Sequence, residues 1–381
     1  MYENAFMRED YPYFWRMKKI PLFIYFFLSV QLFSQTFSFT HNSIVRSYIV
    51  HLPTGYSASN QYSVIINMHG YTSTASQQQS YSQMNTVADT GKFIVVYPDG
   101  VNNAWNAGYG VNPTIDDVDF ISDLIDTLKN KFSVNANKIY ACGMSNGGFM
   151  SYRLACELDN KIAAIASVTG LMGDSVRLFL CLNSCSVPVM DFHGTADPTV
   201  NYNGALGYIS ADSCIQWWRI KDGCPATPVV TNMPDINTTD GTTATKYYYG
   251  LGNDSSEVIF FKITGGGHTW PGGVPIPSFG NTCQDIKASG EIWNFFRRHS
   301  LKCGANSVEE NNFSEEITIY PNPTEGMFQV LSSKYQVSKM EIYNVFGEKI
   351  YDVPKGQSVI SLPLGLGQGV YFLKPRLISQ H

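Results

Sequence analysis

Lys138-Ile139-Tyr140-Ala141-Cys142-Gly143-Met144-Ser145-Asn146-Gly147-Gly148-Phe149-Met150-Ser151-Tyr152-Arg153-Leu154-Ala155 decides the fold. Its first five residues, β-branched and aromatic and then small, read as a short buried strand. Phe149, Met150, Arg153 and Leu154 fall at helical spacing, so Gly147 to Ala155 reads as a helix. Between the two, Gly143-Met144-Ser145-Asn146-Gly147 fits G-x-S-x-G. A strand that turns sharply into a helix puts the serine on a tight bend whose neighbours must be small. The hydroxyl then stands clear of the sheet, aimed at a substrate carbonyl. The pentapeptide alone is a common pattern, and a glycine-rich turn with a capping serine fits it too. Its strand-turn-helix setting makes Ser145 a candidate nucleophile.

Further strand-like runs flank this unit. Val45 to Leu52, Tyr62 to Met68 and Phe93 to Tyr97 precede it; Ile162 to Val168, Val187 to Phe192 and Val258 to Ile263 come after it. Asp117 to Phe132 reads as a helix, with Val118, Ile121, Ile125 and Leu128 on one stripe and Thr114 placed to cap it. Near-continuous apolar strands alternating with helices imply an α/β domain, a doubly wound and mostly parallel sheet covered on both faces, over residues 36–303. Residues 304–313 read as a linker. Residues 314–381 carry short strands at Ile317 to Tyr320, Phe328 to Leu331, Met340 to Tyr343, Val359 to Leu362 and Val370 to Leu373. Turns at Pro321 to Gly326 and Phe346 to Glu348 divide them, a pattern that suggests a small C-terminal β-sandwich without catalytic groups.

The 381 residues are 44% hydrophobic and 15% charged, an ordinary globular composition with room for two domains. A net charge of -5 argues against a nucleic acid or an anionic membrane as partner. Met17-Lys18-Lys19, the apolar run from Ile20 to Phe33 and then Ser34-Gln35 follow the order of a secretory signal peptide, 17–34. Residues 1–16 read as an upstream extension, with the mature chain starting near Gln35 or Thr36, outside the cytosol. The apolar run falls short of the ~20 residues a membrane anchor needs, so no integral membrane segment is expected in the mature chain. Outside the cytosol, eight cysteines without a C-x-x-C pair favour disulfides. Cys214 with Cys224 and Cys181 with Cys185 are the nearest neighbours, though spacing alone does not choose; Cys142, in the central strand, reads as a buried free thiol.

A serine hydroxyl needs a base to take its proton and an acid to orient that base. On sheets with this elbow the order is Ser, Asp or Glu, His. His69 and His193 each end an apolar strand before glycine and read as wall-forming. His268, in Gly265-Gly266-Gly267-His268-Thr269-Trp270-Pro271-Gly272-Gly273, follows the last strand in a loop able to swing toward the serine, and is the candidate base. Asp197, in His193-Gly194-Thr195-Ala196-Asp197-Pro198, lies past a strand's C-terminal end and is the candidate acid, with Asp191 as its rival inside the strand. Oxyanion donors are expected from the backbone N–H groups of Asn146 and Tyr71. Trp105, Asn106 and Trp270 are candidates for lining a substrate slot. Asp116, Asp117 and Asp119 sit at a helix start, where capping explains them better than a metal ion. No P-loop or dinucleotide fingerprint is present, and no cofactor is expected.

Together, His69-Gly70, Tyr97-Pro98-Asp99-Gly100, Trp105-Asn106-Ala107-Gly108, the elbow, His193 to Asp197 and Gly267 to Gly272 resemble the secreted polyhydroxybutyrate-depolymerase and feruloyl-esterase family. That family is among the α/β-hydrolases, with acetyl xylan esterases of carbohydrate esterase family 1 as relatives. The resemblance implies a carboxylic ester hydrolase with Ser145 as nucleophile, Asp197 as acid and His268 as base. The substrate would be an ester of a plant polysaccharide, such as feruloylated or acetylated xylan, or alternatively a polyester. Tyr320 to Gly326, Ile342 to Gly347 and Gly369 to Lys374 resemble the C-terminal sorting domain of the type IX secretion system, which would be the tail's partner. Here Pro375 stands where that family continues with basic residues. The resemblance implies a secreted or cell-surface protein.

Overall fold

The computed structural model describes residues 34–109, 111–181 and 185–303, and in the tail 317–320, 327–332, 335–343, 349–353, 359–361 and 371–379. The expected signal peptide up to residue 33, its upstream extension, the linker and the two tail turns lie outside the described residues, while Ser34 is the first residue of the main sheet.

Ten strands form the main sheet: β1 (Ser34–His41), β2 (Ile44–His51), β3 (Tyr62–Met68), β4 (Ile94–Pro98), β5 (Val134–Met144), β6 (Ala164–Val168), β7 (Val189–Gly194), β8 (Val229–Asn232), β9 (Thr243–Tyr249) and β10 (Val258–Thr264). Their spatial order is β1-β2-β4-β3-β5-β6-β7-β10-β9-β8. From β4 to β10 neighbouring strands run parallel, while β1 and β2 at one edge and β9 and β8 at the other are antiparallel. The parallel block is where the sequence shows unbroken apolar runs, because strands covered on both faces need apolar side chains in both directions. β4 and β6 are buried at every position.

Alternate residues of one strand feed two cores. Val64 and Ile66 of β3 and Ile139 and Ala141 of β5 join one cluster, whereas Ile65, Tyr140 and Cys142 join the other. The first cluster takes its helical side from α3 (Asp117–Lys131), α4 (Asn146–Glu157) and α5 (Ala211–Lys221) through Phe120, Phe149 and Trp218. The second is closed by α2 (Met84–Gly91) and α6 (Ala288–Phe296) through Met84 and Phe295. One further helix, α1 (Ala75–Ser82), lies before α2. The α3 cap corrects the expectation for Thr114: Asp116 is the N-cap, its carboxylate accepting from Asp119 N–H at 3.0 Å.

Two disulfides are formed, Cys156–Cys181 and Cys185–Cys303, so neither neighbouring pair is the one bridged. Cys214 and Cys224 are free and buried, as is Cys142. Sequence proximity misleads because the fold brings Cys156 and Cys181, 25 residues apart, to a Cα separation of 4.5 Å.

The tail contains β11 (Ile317–Tyr320), β12 (Met327–Ser332), β13 (Tyr335–Tyr343), β14 (Lys349–Val353), β15 (Val359–Ser361) and β16 (Phe372–Ser379). They make two three-stranded antiparallel sheets, β11-β12-β15 and β14-β13-β16. Phe328 and Ile360 of one sheet share a small core with Met340, Ile342 and Val353 of the other, as in a sandwich. Pro375 does not stop β16, which is an edge strand where a missing N–H is tolerated.

Candidate active site

β5, β6, β7 and β10 are adjacent and parallel, so the segments leaving their C-terminal ends share one rim of the sheet. Ser145 leaves β5, Asp197 follows β7 and His268 follows β10. This is the edge at which ligands bind in open α/β sheets.

Ser145 sits on the bend itself, with φ 53° and ψ -118°. Its N–H donates to Val168 O at 2.8 Å and its carbonyl accepts Phe149 N–H at 2.9 Å, which starts α4. The flanking glycines are required by contact. A methyl on Gly143 would lie 2.5 Å from the Gly147 backbone, and one on Gly147 would lie 2.3 Å from Met68 O. The helix thus leaves the strand directly against the end of β3.

The loop after β3 lies over the serine: a methyl on Gly70 would be 3.3 Å from Ser145 Cβ. Three bonds hold this loop. Trp105 Nε1–H donates to His69 O at 2.9 Å, His69 Nδ1–H donates to Gly70 O at 2.7 Å, and Gly100 N–H donates to His69 Nε2 at 2.9 Å. A ring that donates at Nδ1 and accepts at Nε2 is neutral, and burial lowers the His69 pKa in the same sense. Asn146 braces the other side, its Oδ1 accepting Trp105 N–H at 2.7 Å and its Nδ2 donating to Trp105 O at 3.1 Å. Neither Tyr71 N–H nor Asn146 N–H has an acceptor among the described residues. Two free backbone donors beside a serine match what an oxyanion requires.

Asp197 is buried and fully engaged. Its Oδ1 accepts the N–H groups of Thr199 and Val200, both at 2.8 Å, and its Oδ2 lies 2.8 Å from His268 Nδ1. The loops of Asp197 and His268 are laced together by backbone bonds, Thr195 N–H to Ile263 O and Ala196 N–H to Gly266 O, each 2.9 Å. The loop of His268 is therefore pinned, not free to swing. Gly267 N–H donates to Asn281 O at 2.9 Å and His268 N–H to Phe279 O at 2.6 Å, leaving the histidine 4% exposed. Asp191 is sealed inside β7, where its Oδ2 accepts the Tyr152 hydroxyl at 2.8 Å and burial pushes its pKa up to about 8.

Of the three expected slot residues, the two tryptophans face protein, while half-buried Asn106 also borders a cavity with Pro113, Ile115, Asp116 and Arg153. Trp105 and Trp270 are fully buried, the Trp270 indole donating to Ser289 Oγ at 3.1 Å. Asn106 spends its amide hydrogens on Ile115 O at 2.7 Å and Pro113 O at 3.3 Å. These side chains are bulky and polar-tipped, and each satisfies its tip within the wall. Asp117, at the α3 start, pairs with buried Arg46 at 2.7 Å and accepts Asn106 N–H at 2.7 Å, so its role is to fix this wall. The bracing of the loop after β3 by Asn146 and Trp105 is not marked in the sequence beyond an asparagine beside the serine.

The mostly parallel sheet, with a serine on a strand-to-helix elbow and an aspartate–histidine pair two and three strands along, has the architecture of the α/β-hydrolase fold. Residues 45–184 match the family described as putative esterase, and residues 318–377 match the secretion system C-terminal sorting domain. The first match falls on the strands and helices around the Ser145 elbow, the second on the tail. It is 32% identical over 196 residues to feruloyl esterase B of Piromyces equi, covering 48% of this chain and 37% of that one. It is 28% identical over 209 residues to the bifunctional acetylxylan esterase/xylanase XynS20E of Neocallimastix patriciarum, covering 54% and 28%. It is 24% identical over 264 residues to poly(3-hydroxyalkanoate) depolymerase C of Paucimonas lemoignei, covering 64% and 63%. The chain spans well under half the length of the first two.

Proposed function

We propose that this protein is an extracellular serine carboxylic ester hydrolase acting on plant cell-wall esters, the feruloyl or acetyl groups of xylan. The observation that carries the reading is the Asp197–His268 pair at 2.8 Å, on the rim where the strained Ser145 and two free backbone N–H groups also lie. In this mechanism His268 Nε2 takes the Ser145 proton as Oγ attacks the ester carbon. The carbonyl oxygen becomes an oxyanion held by Tyr71 and Asn146 N–H. His268 then protonates the departing alcohol, leaving an acyl-serine. A water, deprotonated by His268, attacks the acyl carbon; collapse releases the acid and restores Ser145. Asp197 holds the imidazole with its proton on Nδ1, so that Nε2 is free to accept.

Similarity to a feruloyl esterase and to an acetylxylan esterase supports the substrate class. The Tyr71 side chain, 57% exposed next to the glycine that covers Ser145, offers an aromatic face to an aromatic acyl group. A polyester as substrate is the second reading, supported by the depolymerase similarity. Export would use the segment 17–34 as signal peptide and the tail as the signal for the type IX machinery. Among the described residues no helix is long and apolar enough to cross a membrane.

The test is a substrate panel with Ser145→Ala as control: methyl ferulate, acetylated xylan, a hydroxybutyrate oligomer and a peptide amide. Release of ferulate or acetate, abolished by Ser145→Ala, is expected. Cleavage of the oligomer alone would shift the reading to a polyester depolymerase, and hydrolysis that survives Ser145→Ala would end it.

A further inference from the structure

Behind the acid and base loops lies a cavity of about 10 Å³, lined by Thr169, His193, Gly194, Gly267, Thr269 and Cys283 among others. That is room for about one water, which also needs two to four polar partners. Two lining side chains carry buried polar atoms without a protein partner, Thr169 Oγ1 and His193 Nδ1. Thr169 is 2% exposed and His193 fully buried. The Thr269 hydroxyl, by contrast, is already spent on Asn281 O at 3.1 Å.

His193 Nε2 lies 2.8 Å from Val200 O, and a carbonyl only accepts, so Nε2 carries the proton. Burial lowers the ring's pKa and favours the neutral form, which leaves Nδ1 as an unpaired acceptor. Val200 in turn gives its N–H to Asp197 Oδ1. His193 Nε2 also lies 3.7 Å from Asp197 Oδ2. The ring therefore grips the turn that carries the acid. Thr169, where the chain leaves β6, is a β-branched residue held at φ 54°, a conformation such residues rarely adopt, and its N–H donates to Phe192 O at 2.8 Å. A strained threonine and a buried histidine, each with one polar atom lacking a protein partner, thus line one water-sized space.

We propose that this cavity binds a single structural water that bridges Thr169 Oγ1 and His193 Nδ1, making both residues positioning residues for the acid. The threonine hydroxyl donates to the water and the water donates to Nδ1. With Nδ1 satisfied, the imidazole has one orientation, its Nε2–H stays on Val200 O, and Asp197 stays aimed at His268. The proposal rests on the esterase reading above, since the acid's placement matters to turnover only if the triad works.

The experiment compares Thr169→Val and Thr169→Ser in the mature full chain. Valine keeps the shape and the β-branch but removes the hydroxyl; serine keeps the hydroxyl. Expected are a roughly tenfold fall in kcat for Thr169→Val, about the weight of one net hydrogen bond, with KM unchanged, and recovery of most of it in Thr169→Ser. A structure that resolves waters should show one within hydrogen-bond distance of both atoms in the parent and none bridging in the valine variant. Wild-type kcat in Thr169→Val, equal damage in both variants, or no water between the two atoms would each overturn the proposal. Ser145→Ala run alongside separates the two claims. If it is inactive while Thr169→Val is normal, only the water fails; if it retains hydrolysis, the esterase reading fails.

Discussion

Replacing Asp197 by asparagine should cost about four orders of magnitude in kcat, or roughly 5.4 kcal/mol of transition-state stabilisation. The contacts at this residue dictate that size. Oδ1 receives two backbone N–H groups at 2.8 Å, so an asparagine places its oxygen there and its NH₂ where Oδ2 was. That NH₂ faces His268 Nδ1 at 2.8 Å, and two donors cannot share the contact. The imidazole relieves the conflict by moving its proton to Nε2, the nitrogen that must accept from Ser145. The variant is isosteric and loses no packing, so its melting temperature should stay near that of the parent. Initial rates on a chromogenic acetyl ester, with active sites counted by stoichiometric acylation, give the measurement. An Asp197→Asn protein within tenfold of the parent rate would refute the reasoning, because the acid would then not be setting the tautomer.

Gly194→Ala should lose at least ~10²-fold in kcat, because its methyl would lie 2.2 Å from Gly266 O and part the acid loop from the base loop; Gly290→Ala, which meets nothing within 4 Å, is the matched control. Asp191, protonated in the fold up to about pH 8, is ionised above about pH 4 when unfolded, so the folded state binds one more proton across that window. Stability carried by this group should therefore fall by up to ~1.4 kcal/mol per pH unit as pH rises from 4 to 8, and level off above. Urea midpoints of the parent and Asp191→Asn should converge toward low pH, the variant gaining as pH rises; a pH-independent difference would contradict this. Removing Cys156–Cys181, which closes 25 residues, should cost ~3.5 kcal/mol, and removing Cys185–Cys303, which closes 118, ~4.9 kcal/mol, measured by denaturation of the double serine variants.

Much of this architecture is legible in the residues because the relevant forces are local. β3 is readable from Tyr62 to Met68 since both its faces are buried, and the elbow is readable since its backbone admits only small neighbours. Elements held by distant partners are not. α1 carries Ala75 to Ser82, nearly all polar, and shows no apolar stripe; it is anchored by the Thr74 cap and by Asp99 accepting Ala75 N–H at 2.7 Å. β8 is exposed at every position and forms only by pairing with β9. At the site, the residues proposed to react stand out by type and order. Their supports do not, because an asparagine that clamps Trp105 reads no differently from one that touches substrate. Both indoles read as substrate contacts, yet both are buried: Trp105 holds the loop after β3 through His69 O, and Trp270 is tied to Ser289 of α6.

The bridge between Cys185 and Cys303 also has a mechanical meaning. Cys303 closes the α/β domain just past α6, on the side of the sequence that leads to the tail. Tension drawn through the tail would otherwise reach α6 end-on and peel it from the sheet one turn at a time. The covalent link diverts that load to Cys185, beside the start of β7 in the middle of the sheet. There β7 is hydrogen-bonded to a strand on each side. A pull on the chain beyond Cys303 is thereby shared with β7, one strand away from β10, whose following loop carries His268.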